Sequence, residues 1–133
     1  MAFMDNVVSI KPPAGMAAAR GRVLTTATLR AAEALDLRGQ DLAAVLGVSG
    51  AVVSRMRSGA YTLGTTAKSF ELAALFVRLY RALDAITGGD RAVARAWMRA
   101  DNTALGGVPL ERIKTVSGLV NGLAYLDSRR APL

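Results

Sequence analysis

The 133-residue chain contains no cysteine and no histidine. A disulfide framework and a Cys/His zinc site are therefore excluded, and with them any acid–base chemistry through imidazole. Long apolar runs are missing too, because arginines interrupt every stretch before it reaches the ~18 residues that a membrane-spanning helix requires. The opening residues, MAFMDNVVSIKPPAG, carry an aspartate near their start and lack the apolar core of a signal peptide. A soluble, cytoplasmic protein with no membrane, metal or cofactor is expected. Catalysis is not. The ten carboxylates are scattered beside arginines, and no Walker or dinucleotide glycine motif occurs; Gly88-Gly89 and Gly106-Gly107 read as helix stops.

What the chain has in excess is arginine. Seventeen basic residues face ten acidic ones for a net charge of +7, and fourteen of the seventeen are arginine. That side chain matches phosphate and guanine through bidentate hydrogen bonds. The surplus favours an anionic partner but does not choose among DNA, RNA, a membrane and an acidic protein.

Strand-like alternation persists nowhere, so the fold is expected to be all-α. Residues 1–22, with Pro12, Pro13 and Gly15, read as a flexible N-terminal arm. A helix is expected from Thr25 or Thr26, with Leu29, Ala32 and Leu35 on one face and Gly39 at its end. Two short helices follow, over Gln40 to Leu46 and from a Ser49 cap to about Met56. A long one over Lys68 to Ile86 carries Leu72, Phe76, Leu79, Leu83 and Ile86 at spacings of four and three. That stripe suits a core face, or a short seam with a second subunit. Asp90 should cap the next helix, in which Val93 and Trp97 share a face. Pro109 opens a short helix, and Thr115 caps a last one that ends near Leu126, with Val116, Leu119, Val120, Leu123 and Leu126 as its stripe. The expected organisation is the arm, a region over 23–66 that holds the two short helices, and a helical domain over 67–133.

The stretch QDLAAVLGVSGAVVSRMRSG carries the function. A helix-turn-helix needs a small residue where its helices cross, which Ala43 supplies, and a glycine in its turn, which Gly47 supplies. Leu42, Leu46, Val48, Val53 and Met56 then face inward. Ser49, Gly50, Ala51, Ser54 and Arg55 share the outward face of the second helix, the face that enters a major groove. Arg55 is the candidate for a guanine contact and Arg57 for phosphate. Gln40 and Ser49 open helices where phosphate is favoured. Gly50 and Ala51 admit close approach with little hydrogen-bond code, so shape would supply part of the specificity. A helix-turn-helix binds as at least a dimer.

The hairpin resembles the Xre/Cro-type helix-turn-helix of phage-style repressors, and the resemblance extends over about Val23 to Arg130. LRAAEALDL, LAAVLGVSGAVVSRMRSG and KSFELAALFVRLYRALDAITGGD, in that order, resemble the antitoxins of RES–Xre toxin–antitoxin systems. ARAWMRADNTALGGVPLERIKTVSGLVNGLAYLDSR resembles the toxin-binding domain of the Xre/MbcA/ParS group, through Trp97, Ala104 to Gly107, Pro109, Thr115, Gly118, Leu126 and Arg129. At Asp101-Asn102-Thr103 the chain departs from relatives that place a proline in the turn. The resemblance implies an antitoxin that binds its own operon's double-stranded promoter DNA, forms a homodimer or larger assembly, and blocks a cognate RES-domain toxin acting on NAD. It implies that Trp97, Arg129, Arg130 and Leu133 lie at the toxin contact. The rival expectation is a stand-alone phage-type regulator whose C-terminal half only dimerises, and the neighbouring reading frame separates the two.

Overall fold

The computed structural model describes residues 14–130. Seven helices span them: α1 (Ala14–Ala34), α2 (Gly39–Leu46), α3 (Gly50–Ser58), α4 (Lys68–Ile86), α5 (Arg91–Arg99), α6 (Pro109–Arg112) and α7 (Val116–Arg130). The fold is all-α. Among the described residues the only β-type pairing is an isolated bridge between Asn102 and Gly107, which closes the turn before α6.

α4 is the axis. Leu72, Phe76, Leu79 and Leu83 are buried at helical spacing, whereas Ile86 is exposed. The helix packs against α7 on one side and against α1 and α2 on the other. Its stripe is thus consumed by the chain's own core, and one apolar cluster runs from Ala31 in α1 to Leu126 in α7. The helix-turn-helix therefore sits on the same core as the C-terminal segment.

Three local expectations need correction. α1 begins at Ala14 and not at Thr25, so residues 14–22 of the expected arm are helical, while 1–13 lie outside the described residues. Thr25 looks like a cap in sequence, but its hydroxyl donates to the Gly21 carbonyl at 2.7 Å and accepts from the Leu63 amide at 3.0 Å. It serves as a mid-helix anchor for a loop 38 residues away. α1 stops at Ala34, before Gly39. Asp36 takes the left-handed conformation (φ 57°), the Leu37 amide returns to the Ala32 carbonyl at 2.8 Å, and Gly39 becomes the first residue of α2. α7 continues to Arg130, one turn past Leu126.

The buried faces of α5 and α7 also differ from the expected ones. Ala94 and Met98 carry the inward face of α5, with Val93 exposed and Trp97 half-buried against the core. In α7, Gly118, Leu119, Gly122, Leu123 and Leu126 are buried, whereas Val116 and Val120 are exposed. Leu119, Leu123 and Leu126 thus lie inward as expected, and glycines at two further inward positions bring α7 close to its neighbours.

Two polar tethers join the halves. The Nε of Arg95 donates to the Ala34 carbonyl at 2.9 Å and its Nη2 to that of Glu33 at 3.1 Å. Arg99 donates from Nη1 to Leu35 at 3.0 Å and from Nη2 to Asp36 at 2.7 Å. Two guanidinium groups of α5 thus satisfy the carbonyls left over at the C-terminus of α1, where the helix dipole favours positive charge. Arg99→Ala should cost about 1–2 kcal/mol and, because it frees the left-handed Asp36 carbonyl, should exceed the cost of Arg91→Ala. Equal melting temperatures for the two variants would contradict the capping role.

The second tether is the buried Asp41 of α2. Lys114, between α6 and α7, meets its Oδ1 at 3.0 Å, and Arg38 meets its Oδ2 at 3.5 Å. Burial pushes the Asp41 carboxyl up, but the hydrogen bonds and charges of Lys114 and Arg38 outweigh burial and hold it below the ordinary carboxylate value. Lys114 is raised, first by its hydrogen bond to Asp41 and next by that to Glu111. A lowered carboxyl stabilises the fold fully above its unfolded pKa and loses that effect as pH falls through the folded value. A raised ammonium stabilises fully below its unfolded pKa and loses that effect as pH rises through the folded one. The pair therefore holds across roughly pH 5 to 10 and fails at both ends. Lys114→Met should lower stability by about 1–2 kcal/mol at pH 7, with the difference from wild type shrinking in acid as Asp41 protonates. A gap that stays constant down to pH 2 in urea melts would rule this tether out.

Candidate nucleic-acid interface

The turn between α2 and α3 follows from Gly47. It closes α2 in the left-handed conformation (φ 69°), with its amide on the Ala43 carbonyl, a geometry that suits a residue without Cβ. Two residues later the Ser49 side-chain oxygen accepts from the Val52 amide at 3.2 Å and starts α3. Leu42, Ala43, Leu46, Val53 and Met56 are buried between the two helices and the core, and Val48 is half-buried. Gly59 closes α3, again left-handed (φ 82°).

This packing leaves a defined outer surface. Ser49, Gly50, Ala51, Ser54 and Arg55 are all exposed, as are Gln40 in the first turn of α2 and Arg57. The helix α3 contains no acidic residue, and neither Arg55 nor Arg57 enters an ion pair among the described residues. The Ser49 oxygen is committed to its cap, so toward a ligand the hydroxyl is left to donate. Arg57 turns back over Gly39 at the start of α2 and lines a shallow cleft with Asp36 and Arg95. Its charge is therefore set to the side of α3 and not at its tip. The geometry can present a short, flat, cationic helix face with small residues at its leading end.

The C-terminal candidates do not form one cluster. Trp97 lies half-buried on α5. Arg129 and Arg130 occupy the exposed last turn of α7, and Leu133 lies outside the described residues. Arg129 is held: its guanidinium carbon sits 5.3 Å from the Tyr125 ring centroid, and its Nε and Nη2 donate to the Tyr125 hydroxyl at 3.2 and 2.9 Å. Tyr125 is a member of this surface that sequence reasoning missed. Its spacing of four from Arg129 was the available signal, hidden by reading the helix as ending at Leu126. Arg130 and Arg129 share a shallow cleft with Ala85 and Ile86 at the end of α4.

Among the described residues no group of acidic side chains could hold a metal ion, and no helix is long and apolar enough to cross a membrane. No curated protein matches the chain significantly. Two family comparisons do match. Residues 82–131 match the antitoxin Xre/MbcA/ParS C-terminal toxin-binding domain, which spans α5, α6 and α7, the end of α4, and hence Trp97, Tyr125 and Arg129. Residues 14–78 match the antitoxin Xre-like helix-turn-helix domain, which takes in α1 from its first residue together with the α2–α3 hairpin and most of α4. With both halves matched, in this order and with only three residues between them, the chain belongs to the Xre-type antitoxins of toxin–antitoxin systems.

Proposed function

We propose that this antitoxin neutralises a RES-domain toxin acting on NAD by direct binding and represses its own operon by binding promoter DNA as a homodimer or larger assembly. The observation that carries the DNA half of the reading is the exposed face of α3, with Arg55 in no ion pair among the described residues and no carboxylate on the helix. A duplex asks for that: small residues admit the helix to the major groove, Arg55 reaches a base edge, and Gln40, Ser49 and Arg57 meet phosphates on either side. Nothing in the chain is assigned a catalytic role; the enzyme of the pair is the toxin.

The toxin half rests on the end of α7. Arg129, ordered on Tyr125, and Arg130 beside it form a cationic tip whose natural complement is a carboxylate-lined substrate pocket. In this reading Arg129, Arg130 and Leu133 occupy the toxin where NAD would bind, and Trp97 adds apolar contact on the same C-terminal segment. A stand-alone regulator has no need of a segment of this family, and the match over 82–131 weighs against it.

The test is co-expression with the product of the neighbouring reading frame, followed by co-purification and measurement of NAD loss. A chain lacking residues 129–133 should leave the toxin at least roughly tenfold less inhibited while promoter binding is retained. Full inhibition by that truncation would remove the α7 tip from the mechanism, and failure of the full chain to co-purify would remove the RES partner.

A further inference from the structure

An open apolar groove lies away from α3, between α1 and α4. Ala19 and Ala27 of α1 and Ala74 of α4 form a floor, and small side chains at these positions keep the helices from closing over it. Met16 and Val23, among the most exposed large apolar side chains of the chain, stand with Phe70 and Val77 as its walls. The groove encloses about 480 Å³ and is open along its length. From Met16 to Ala27 it runs for about three helical turns, or ~17 Å.

Its rim is cationic. Arg20 lies over the Phe70 ring with its guanidinium carbon 5.6 Å from the centroid, while Arg78 and Arg81 edge the α4 side. Arg78 is partly neutralised by Asp127 at 3.8 Å; Arg20 and Arg81 enter no ion pair among the described residues. No described carboxylate lines the groove. Arg81 also borders an adjoining hollow lined by Arg30 and Arg91 with a single acid, Glu33, so positive charge continues along the same edge.

We infer that this groove docks an amphipathic helix of another protein whose apolar stripe is flanked by carboxylates. The concavity suits a rod of three to four turns and not a flat bilayer, and an apolar floor offers a DNA duplex nothing to bind. A second copy of the chain is disfavoured because two such faces would set Arg20 and Arg81 against their own duplicates without an acid between them. The chain's own residues 1–13 carry one acid, Asp5, balanced by Lys11, and so complement the rim poorly. The groove belongs almost wholly to the segment matching the helix-turn-helix family, with Arg81 just beyond it, and lies outside the toxin-binding match over 82–131. It shares no residue with the candidate DNA face or with the candidate toxin contacts.

The probe is a fluorescein-labelled helical peptide of about 18 residues, with leucines at positions i, i+3, i+4 and i+7 and glutamates elsewhere, titrated with the full chain. Its twin carries lysine for glutamate. The acidic peptide should bind roughly tenfold or more tightly than the twin. Val23→Asp should abolish binding without changing helical content or promoter affinity, and Arg81→Glu should shift preference toward the lysine twin. Equal binding of the twins, or binding indifferent to Val23→Asp, would overturn the proposal. A chain that is dimeric by sedimentation and becomes monomeric with Val23→Asp would assign the groove to a second copy. Peptide uptake that begins only after residues 1–13 are removed would assign it to the chain's own terminus. Because the peptide titration itself uses neither toxin nor DNA, its failure leaves the antitoxin reading untouched.

Discussion

Gly118→Ala should be the most destabilising single-methyl change available in α7, costing about 3 kcal/mol or more. The glycine sits in the first turn of α7, where the corner from α6 folds back onto it. A Cβ built there overlaps the Arg112 carbonyl and crowds the Thr115 hydroxyl, which caps the helix by accepting from the Gly118 amide at 3.0 Å. The obstacle is backbone, so no rotamer change relieves it; the whole corner, including Ile113 in the core and Lys114 in the Asp41 tether, must move. At this chain length the melting temperature should fall by roughly 10 °C or more. Gly15→Ala is the control, since nothing lies within 4 Å of the added carbon and the change falls in a helix, where alanine is favoured by about 0.5–1 kcal/mol. A Gly118→Ala protein melting within a few degrees of wild type would show that the corner is soft and the close approach unimportant. Because one core runs through both halves, loss at this corner should weaken DNA binding and toxin inhibition together.

That glycine also shows what the sequence could and could not disclose. α2, α3 and α4 were readable because their signals are local: a turn glycine at Gly47, a hydroxyl cap at Ser49, and large apolar residues at four-and-three spacing from Leu72 to Leu83. The outward face of α3 followed from those same positions by helical geometry. The unread features depend on contacts between distant segments. Thr25 is a competent cap residue by type, and only the Leu63 amide reveals that it is a buried anchor inside α1. In α7, Leu119, Leu123 and Leu126 of the expected stripe are buried, but close helix approach places Gly118 and Gly122 inward where Val116 and Val120 were expected. Leu79 of α4 comes to within 3.3 Å of a Cβ position at Gly122, where a valine would not fit. The roles of Arg95 and Arg99 have no signal in sequence, since nothing local to α5 announces carbonyls some sixty residues earlier that need donors. Patterning thus specified which helices exist, and packing decided which faces they bury.

Arg55→Ala should weaken promoter binding by about 1–3 kcal/mol, roughly five- to 150-fold, if Arg55 donates bidentately to a guanine. The fold should not notice the change. The side chain is exposed, makes no ion pair among the described residues, and its backbone carbonyl, which accepts from the Ser58 hydroxyl at 3.1 Å and the Ala60 amide at 2.8 Å, is untouched by the substitution. A base contact and a phosphate contact are separable by their dependence on sequence and salt. Arg55→Ala should reduce the gap between operator and unrelated duplex, whereas Arg57→Ala should weaken both alike and lower the slope of log K against log salt by about one unit. Arg55→Lys keeps the charge but loses the fork, so it should recover non-specific affinity without recovering discrimination. If Arg55→Ala and Arg57→Ala lower operator and non-specific binding equally, Arg55 contacts phosphate and specificity must come from duplex shape, for which Gly50 and Ala51 at the tip of α3 leave room. If neither variant alters DNA binding while toxin inhibition falls, α3 is a protein-binding helix and the repressor half of the proposed function fails, even though the chain remains an antitoxin by family.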